Sequence, residues 1–480
     1  MSNSPADPGS AATAPVDTPA LARELSQFAC RMRTAPLPAE VRELATRHIL
    51  DALGIGLASH AQSYAAPALA GIEAAGSNGP CTVIGDTRRL SPRDAALANG
   101  LLMHGLDYDD THLASIIHPT VASLPAALAV GEALDATWEQ LLSAYAVGVE
   151  AAIRIGAAAD GGFHHVGFHA TGVVSHFSAA LVAGSLLGLD EHALTMAQGI
   201  AASTASGVQV FLEEGAWTKR MHPGWGALAG ITAAQLARAG FVAPSRPYEG
   251  RFGLFETHLP ADSRRPAAEA ACITEGLGRT WQLLDTAIKP YPVCHFIHGC
   301  ADAAIELRAE IGDPARIEQV VAWLPEPTLP IVAEPAGHKR RPTTDYEAKF
   351  SAQFVVATCL LRGRFGLPEL EPSSLADAAA LRLAGKVECR VDPESAFPRY
   401  FSGGVTVTSS DGRVLSRHVK VNKGAGERAL SADDIAAKFL ANASMHVPEG
   451  QARQLLEFVT RPQGRSVREV ARALAARAPR

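Results

Sequence analysis

A short segment of this sequence carries most of the side chains that can transfer a proton. Residues 104–120 read H-G-L-D-Y-D-D-T-H-L-A-S-I-I-H-P-T and hold three carboxylates, three imidazoles and threonine hydroxyls. Carboxylates and imidazoles placed between apolar segments are the groups that general acid–base catalysis uses. A carboxylate beside an imidazole can also raise the imidazole pKa and fix its tautomer. The segment therefore predicts an active site, with Asp107 and His118 as the leading pair.

Two other interpretations of this segment remain open at this point. Histidine and aspartate at close spacing can ligate zinc or a two-metal centre. The spacing here fits no standard pattern and the chain has no H-E-x-x-H motif, so we predict no metal ligand. In the second interpretation, the aspartates cap the next helix and the histidines are buried polar residues with satisfied hydrogen bonds.

Three later segments contain further candidate binding residues. In G-F-H-A-T-G, His169 precedes small residues at a predicted helix start, where free N–H groups and the helix dipole suit an anion. In W-T-K-R-M-H, Lys219 and His222 supply positive charge. In K-P-Y-P-V-C-H, Cys294 and His295 lie at a change in composition and are predicted to line a cleft between domains. A Cys–His nucleophile pair is disfavoured because adjacent residues rarely face each other.

The composition excludes several classes of partner and compartment. With 43 basic and 49 acidic residues the net charge is -6, so no basic field would hold nucleic acid or an anionic membrane. Seven scattered cysteines without a C-x-x-C motif predict a reduced, cytoplasmic protein with neither a disulfide framework nor structural zinc. Residues 1–18 read as a loose tail and not as a signal peptide. The apolar run at 171–189 contains Gly, Ser and His, which favours a buried helix over a membrane span.

The pattern of elements predicts a fold that is mainly α with an α+β insertion. Residues 19–285 have a helical pattern throughout, with a helix start at Ser91-Pro92, a capping box at 137–140 and a further helix opening at Asp190. Strand patterns appear at 317–324 and 386–391, followed by a hairpin with an Asp-Gly turn at 404–421. Helices are predicted at 298–311 and 346–361, and again after Ser431.

These patterns predict three parts of the chain. Residues 1–18 form the tail. Residues 19–285 and 425–480 together form an all-helical domain. Residues 286–424 form a smaller α+β lid domain inserted between the two helical segments.

The four polar segments, taken in order, resemble the MmgE/PrpD family over about residues 19–460. The resemblance rests on H-G-L-D-Y-D-D-T-H with His118-Pro119, G-F-H-A-T-G, W-T-K-R-M-H, K-P-Y-P-V-C-H with A-D-A-A, and E-A-K-F-S at 347–351. Each motif alone is weak, whereas the ordered set is specific. It implies the same two-domain fold, a homodimer, and catalysis that needs neither a metal nor an organic cofactor.

The resemblance also implies roles for individual residues. His118 would be the general acid or base, oriented by Asp107, and Lys219 would bind carboxylate and stabilise negative charge in the transition state. Further substrate contacts are predicted at Thr111, His169, His222, Cys294, His295 and Arg341.

The reactions of the family share one chemical step, which makes or breaks a bond next to a carboxylate. They include dehydration of 2-methylcitrate, decarboxylation of cis-aconitate and epimerisation of iminodisuccinate. Decarboxylase-type members carry a His where this chain has Cys294, and a Tyr near the position of Ala336, upstream of Arg341-Pro342. These two departures argue against cis-aconitate decarboxylation and favour dehydration of a 2-methylcitrate-like hydroxy acid. The alternatives are an epimerase, a decarboxylase, and a carboxylate-binding paralogue without catalysis.

Overall fold

The predicted fold class, mainly α with an α+β insertion, is confirmed. A computed structural model describes residues 20–259, 270–462 and 464–475, so the tail predicted at 1–18 lies outside the described residues. Most described residues are helical, and the strands form one four-stranded sheet and two short strand pairs.

The N-terminal helices begin where their capping residues predict. The Ser91 hydroxyl accepts from the Asp94 N–H at 3.4 Å, with a proline in the first helical position. Thr137 and Gln140 form the predicted capping box. The helices of this part are Leu21–Met32, Ala39–Ala58, Ala65–Ala75, Pro92–His104, Pro119–Leu134, Trp138–Ala158, Gly162–Val166, Ala170–Leu186, Glu191–Ala202, Phe211–Glu214, Thr218–Arg238 and Leu254–His258.

Small residues bring the helices that carry the polar motifs close together. The helix Ala170–Leu186 is apolar on nearly all sides and buried, as its composition predicts. A Cβ atom added at Gly100 would lie only 2.5 Å from the Cα of Gly224, so the helices Pro92–His104 and Thr218–Arg238 touch through their backbones. This close approach places Lys219 beside the loop that follows His104. Among the described residues, the helix Trp138–Ala158 is long and apolar enough to span a membrane, and it is mostly buried in the protein core.

The C-terminal segment completes the helical core. Its helices are Ala432–Ala443, Glu449–Thr460 and Val467–Leu474. Phe439 and Val467 are fully buried in the same apolar cluster as the N-terminal helices, and a Cβ at Gly54 would lie 2.9 Å from the Phe439 ring. Both ends of the chain therefore build one core, while the domain boundaries proposed from the sequence stay a prediction.

A second apolar cluster belongs to the predicted lid. Its mixed sheet has the order Val387–Val391, Ile317–Leu324, Gly403–Ser409, Val414–Val419; the first two strands are parallel and the other pairs antiparallel. The predicted Asp-Gly turn joins the last two strands, with Gly412 at φ +80°. The helices His298–Ile311 and Ala352–Arg362 pack against this sheet. The helices of this part are His298–Ile311, Leu329–Val332, Ala336–Lys339, Asp345–Lys349, Ala352–Arg362, Pro372–Leu375 and Ala378–Ala384.

Two predictions about elements are wrong in detail. The helix predicted at 346–361 is interrupted, because Ser351 adopts an extended conformation and its hydroxyl caps the next helix through the Phe354 N–H. Residues 19–285 are not helical throughout, since they contribute strands at Asn78–Thr82, Arg89–Leu90 and Thr111–His112. The last of these pairs with Thr286–Ala287 and so ties the first polar motif to the start of the lid.

Candidate active site

The loop between the helices Pro92–His104 and Pro119–Leu134 carries the leading catalytic candidates. Asp107 has φ +52°, a left-handed conformation that aspartate tolerates better than most residues. Beyond it, Thr111 lies in the short strand that pairs with Thr286–Ala287. The loop is thereby fixed at its middle by backbone pairing and at its two ends by helices.

Two lysines from distant parts of the sequence converge on Asp107. The Lys219 ammonium donates to Asp107 Oδ1 at 2.8 Å. The Lys289 ammonium donates to the same oxygen at 3.2 Å and to the Asp107 carbonyl oxygen at 2.8 Å. Burial alone would raise the pKa of Asp107, but Lys219 and then Lys289 outweigh it and hold this pKa well below its usual range. Asp107 is therefore a carboxylate, and its Oδ2 accepts no hydrogen bond from any described residue.

His118 is held by its backbone neighbours in one tautomer. Its Nδ1 lies 2.8 Å from the Asp110 carbonyl oxygen, which can only accept, so Nδ1 carries the proton. Its Nε2 lies 3.8 Å from Asp107 Oδ1. Burial lowers the pKa of His118 to about 3, more than the Asp109 carboxylate can offset. Because the Asp110 carbonyl orients this imidazole, the prediction that Asp107 orients it is wrong.

The other acidic residues of the loop support it structurally, as the sequence indicated. Asp109 Oδ2 pairs with His104 Nδ1 at 2.8 Å, and both side chains are buried. Asp110 accepts from His48 Nδ1 at 2.6 Å and from the Thr120 N–H at 3.2 Å. The helix-capping interpretation therefore holds for Asp110 but not for Asp107.

Lys438 connects the C-terminal segment to this loop. Its ammonium donates to the carbonyl oxygens of Tyr108 at 3.0 Å and Lys289 at 2.8 Å, and it pairs with Asp51 at 2.8 Å. The Lys438 ammonium thus fixes the backbone of Tyr108, which follows Asp107, and of Lys289, which bonds to Asp107.

A second wall of the site is built by His169 and by Cys294 and His295, which precede the helix His298–Ile311. His169 begins the helix Ala170–Leu186 as predicted, and burial, with Lys219 next, keeps its pKa well below the usual range. His295 Nε2 accepts from the Asn422 amide at 2.9 Å, which leaves its Nδ1 proton without a partner among the described residues. Burial raises the pKa of the Cys294 thiol, so it stays protonated.

These residues line one cavity of about 620 Å³ between the two apolar clusters. The structure brings seven of the nine predicted site residues to it: Asp107, Thr111, His118, His169, Lys219, Cys294 and His295. The Thr111 hydroxyl is buried and has no hydrogen-bond partner among the described residues. The cavity thus presents one charged cluster, neutral imidazoles and at least two unpaired polar groups to a ligand.

Profiles of one protein family match almost the whole described chain. The MmgE/PrpD N-terminal domain matches residues 23–266, and the MmgE/PrpD C-terminal domain matches residues 291–461. The chain belongs to the MmgE/PrpD family.

Several relatives of this MmgE/PrpD protein are named as decarboxylases. A cis-aconitate decarboxylase-like protein, oryM, from Aspergillus oryzae is 27% identical over 437 residues, which cover 88% of this chain and 90% of the relative. Cis-aconitate decarboxylase of Homo sapiens is 28% identical over 445 residues, 89% of each chain. That of Aspergillus terreus is 28% identical over 292 residues, 59% of each. Family membership and these relatives support a lyase-type enzyme.

Two predicted substrate contacts of this MmgE/PrpD chain lie elsewhere. Arg341 is exposed and borders a different cavity with Pro342 and Lys349. His222 is buried behind His169, with 3.1 Å between their Nδ1 atoms, and does not line the cavity. His222 can therefore set the tautomer of His169 without touching a ligand.

Several residues that line the cavity are not predicted from the sequence, and Lys289 is the one that bonds to Asp107. It belongs to the motif K-P-Y-P-V-C-H, but nothing in the sequence shows that it meets Asp107. The available signal was a lysine fixed beside prolines in a family motif. His164 precedes the motif G-F-H-A-T-G; it lies in the short helix Gly162–Val166 and also lines the cavity.

Two groups of side chains have the spacing of potential metal ligands. They are His104 with His118 and His169, and Asp107 with Asp109 and His118, each with ligand atoms within 4.8 Å of one another. In the second group, Asp107 Oδ1 already receives two ammonium groups, so a cation bound to this carboxylate would lie close to two positive charges. The expectation that catalysis needs no metal stays a prediction.

Proposed function

We propose that this chain is a cofactor-independent lyase that breaks a bond next to a carboxylate in a small di- or tricarboxylic acid. The observation that carries the proposal is the convergence of Lys219 and Lys289 on Asp107 beside the unprotonated Nε2 of His118. Ammonium groups in a buried site stabilise the negative charge that develops when a carbanion forms next to a carboxylate.

The groups around this cluster can divide the work of the reaction. Lys219 and Lys289 bind a substrate carboxylate and spread the charge of an enolate-like intermediate. His118 Nε2 takes a proton from the adjacent carbon or, once protonated, returns one. The Thr111 hydroxyl and the His295 Nδ1 proton, which lack partners among the described residues, hold a second carboxylate.

The relatives favour loss of carbon dioxide as the bond cleavage. In that reaction the bond to the departing carboxylate breaks, its electron pair moves onto the neighbouring alkene and remaining carboxylate, and a protein group supplies one proton. Proteins related to this chain along nearly 90% of its length carry the name cis-aconitate decarboxylase or a variant of it. We take decarboxylation of an unsaturated acid as the first candidate on this ground.

The state of His118 favours loss of water as the second candidate. Its Nε2 is unprotonated and is already the form of a general base, which dehydration of a 2-methylcitrate-like hydroxy acid requires. This chain has Cys294 where decarboxylase-type members of the family carry a His, which also supports a substrate different from cis-aconitate. No relative described above is named as a 2-methylcitrate dehydratase.

One experiment separates these reactions. Purified protein is incubated in heavy water with cis-aconitate, 2-methylcitrate and aspartate-like acids, and proton NMR follows each acid. Loss of carbon dioxide or of water supports the corresponding lyase, whereas deuterium exchange without net loss indicates an epimerase. Turnover of an acid that His118→Ala abolishes, and that Arg341→Ala preserves, supports the assigned site. If none of these acids reacts or exchanges, the proposed activity on them is wrong.

Two further expectations carry over from the family resemblance as proposals. Activity should survive dialysis against a chelator, and activity that is lost and then restored by a metal ion would overturn cofactor independence. The protein should also form a homodimer, which light scattering of the purified protein would test through the molecular mass in solution.

A further inference from the structure

The cavity that holds the charged cluster also has an aromatic wall. Phe296, Phe397 and Phe401 line it from the lid side. Their rings contact one another, with centroids 5.1 Å apart for Phe296 and Phe401 and 5.7 Å apart for Phe397 and Phe401. Phe296 and Phe397 are half-buried and line the cavity, whereas Phe401 is fully buried and packs against both of their rings.

Apolar side chains also flank the charged end of the cavity. Phe211, Phe350 and Ile331 line it and belong to one small apolar cluster. Phe350 lies with its ring centroid 5.4 Å from the Lys219 ammonium. Ile116 lines the cavity with φ +52°, a strained conformation for a β-branched residue that persists only where the surrounding structure enforces it.

Three of the four charged side chains that line the cavity form one cluster around Asp107. Among the described residues that line it, the ammonium groups are those of Lys219 and Lys289, and the carboxylates are those of Asp107 and Asp160. Two of these four groups are buried lysines already bonded to Asp107. The carboxylate end of a ligand is therefore expected at this cluster, where the ammonium groups can offset the loss of its hydration.

The volume of the cavity also exceeds what a six-carbon acid needs. A cavity of about 620 Å³ lies in the middle of the range of roughly 300–1,000 Å³ that is typical of small-molecule sites. A propene tricarboxylic acid has only about a dozen non-hydrogen atoms.

We propose that the substrate is a carboxylic acid with an apolar substituent, an alkyl or aryl group of several carbons, which lies against the wall formed by Phe296, Phe397 and Phe401. The carboxylate end meets Lys219 and Lys289, where the bond is broken. The inference rests on the proposed lyase function for its reacting end, while the apolar wall assigns the substrate class.

A series of 2-alkylsuccinates with methyl, propyl and pentyl chains tests this inference by calorimetric titration at pH 7.5. These saturated acids bind without reacting through an alkene. Burial of each added methylene should tighten the dissociation constant about two- to fourfold, so that the pentyl acid binds at least about tenfold more tightly than the methyl acid. Affinity that is flat or falls with chain length would overturn the inference, as would tighter binding of 1,2,3-propanetricarboxylate than of every alkyl acid.

Matched variants locate the effect on the aromatic wall. Phe397 is only half-buried, so Phe397→Asn removes part of the wall at little cost to the core. This variant should reduce the gain in affinity per added methylene while leaving the affinity for methylsuccinate within about twofold of wild type. Phe252 is 76% exposed and does not line the cavity, so Phe252→Asn is the control and should keep the full gain. An unchanged gain in Phe397→Asn would refute the assigned wall, and the wild-type series remains decisive if this variant does not fold.

The calorimetric series and the NMR assay can refute the substrate class and the lyase function separately. If short tricarboxylic acids are converted and the chain-length gain is absent, the substrate class is wrong and the lyase function stands. If the gain is present and no acid is converted in the NMR assay, the apolar site stands and the lyase function is wrong.

Discussion

Replacing Lys289 by methionine removes one of the two ammonium groups that hold Asp107. Lys289 is 1% exposed, and its ammonium bonds to both the carboxylate and the carbonyl oxygen of Asp107. Methionine keeps most of the apolar stem, so the change removes charge and hydrogen bonds and little packing. Lys219 remains 2.8 Å from the same carboxylate oxygen, so Asp107 keeps one partner.

The expected loss in unfolding free energy is about 2–3 kcal/mol at pH 7. Removing one partner of a buried ion pair typically costs about 3–5 kcal/mol, and the remaining lysine places this case below that range. Lys349→Met is a matched control, since Lys349 is equally buried but its partner Asp345 is 34% exposed and can be hydrated. The control should therefore lose less stability than Lys289→Met.

The pH dependence of this loss has a defined sign. The lowered pKa of Asp107 contributes stability above the unfolded pKa of about 3.9, and this contribution disappears as pH falls through the folded pKa. Without Lys289 the pKa of Asp107 rises. Asp107 is then protonated at a higher pH in the variant than in wild type, so the difference between Lys289→Met and wild type should shrink as pH falls through the folded-state pKa of Asp107 in the variant.

Urea unfolding followed by circular dichroism measures these changes in a double-mutant cycle. The cycle combines Lys289→Met with Asp107→Asn. The double variant should be more stable than the sum of the single losses predicts, by about 1–3 kcal/mol, because each single variant leaves buried charge behind. Losses that add within about 0.5 kcal/mol would show that Lys289 and Asp107 do not interact as the geometry requires.

Three more predictions follow from the site and the core. His118→Gln should lower kcat by about 100- to 10,000-fold without shifting the unfolding midpoint. Because the pKa of His118 is lowered to about 3, the pH profile of kcat/KM for the wild type should show no titration of His118 near pH 6.5. Burial lowers the pKa of His112 and His176 to about 4, so their neutral forms stabilise the fold above about pH 6.5. The urea concentration at the unfolding midpoint should therefore decrease as the pH is lowered from 6.5 to 4, and a constant midpoint would contradict this. Arg341→Ala should leave kcat/KM within about twofold in a steady-state assay, since Arg341 borders another cavity.

The local elements were largely predictable because their signals are short-range. The capping groups at Ser91, Thr137 and Ser431 mark helix starts that the structure reproduces. The strand Ile317–Leu324 and the helix His298–Ile311 have the predicted bounds. Where the prediction was wrong, a competing local interaction decided the outcome: Ser351 caps a new helix and interrupts the longer one predicted at 346–361.

The sequence predicted which residues line the cavity better than it predicted the contacts between them. The ordered motifs identify Asp107, Thr111, His118, His169 and Lys219, and the structure places all five around one cavity. The partner relations were not predictable, because they depend on how helices far apart in the sequence pack.

The sequence by itself determined which chemical groups this protein has available and to which family it belongs, because motif order and helix capping are properties of the chain. Only the tertiary structure decided that Lys289 shares Asp107 with Lys219, from positions 182 and 112 residues away in the sequence. It also decided that the proton of His118 lies on Nδ1 and that aromatic rings of the lid face the same cavity. The physical reason is that ionisation, tautomer and cavity shape depend on distances across the fold, and close packing through small residues such as Gly100 and Gly224 sets those distances.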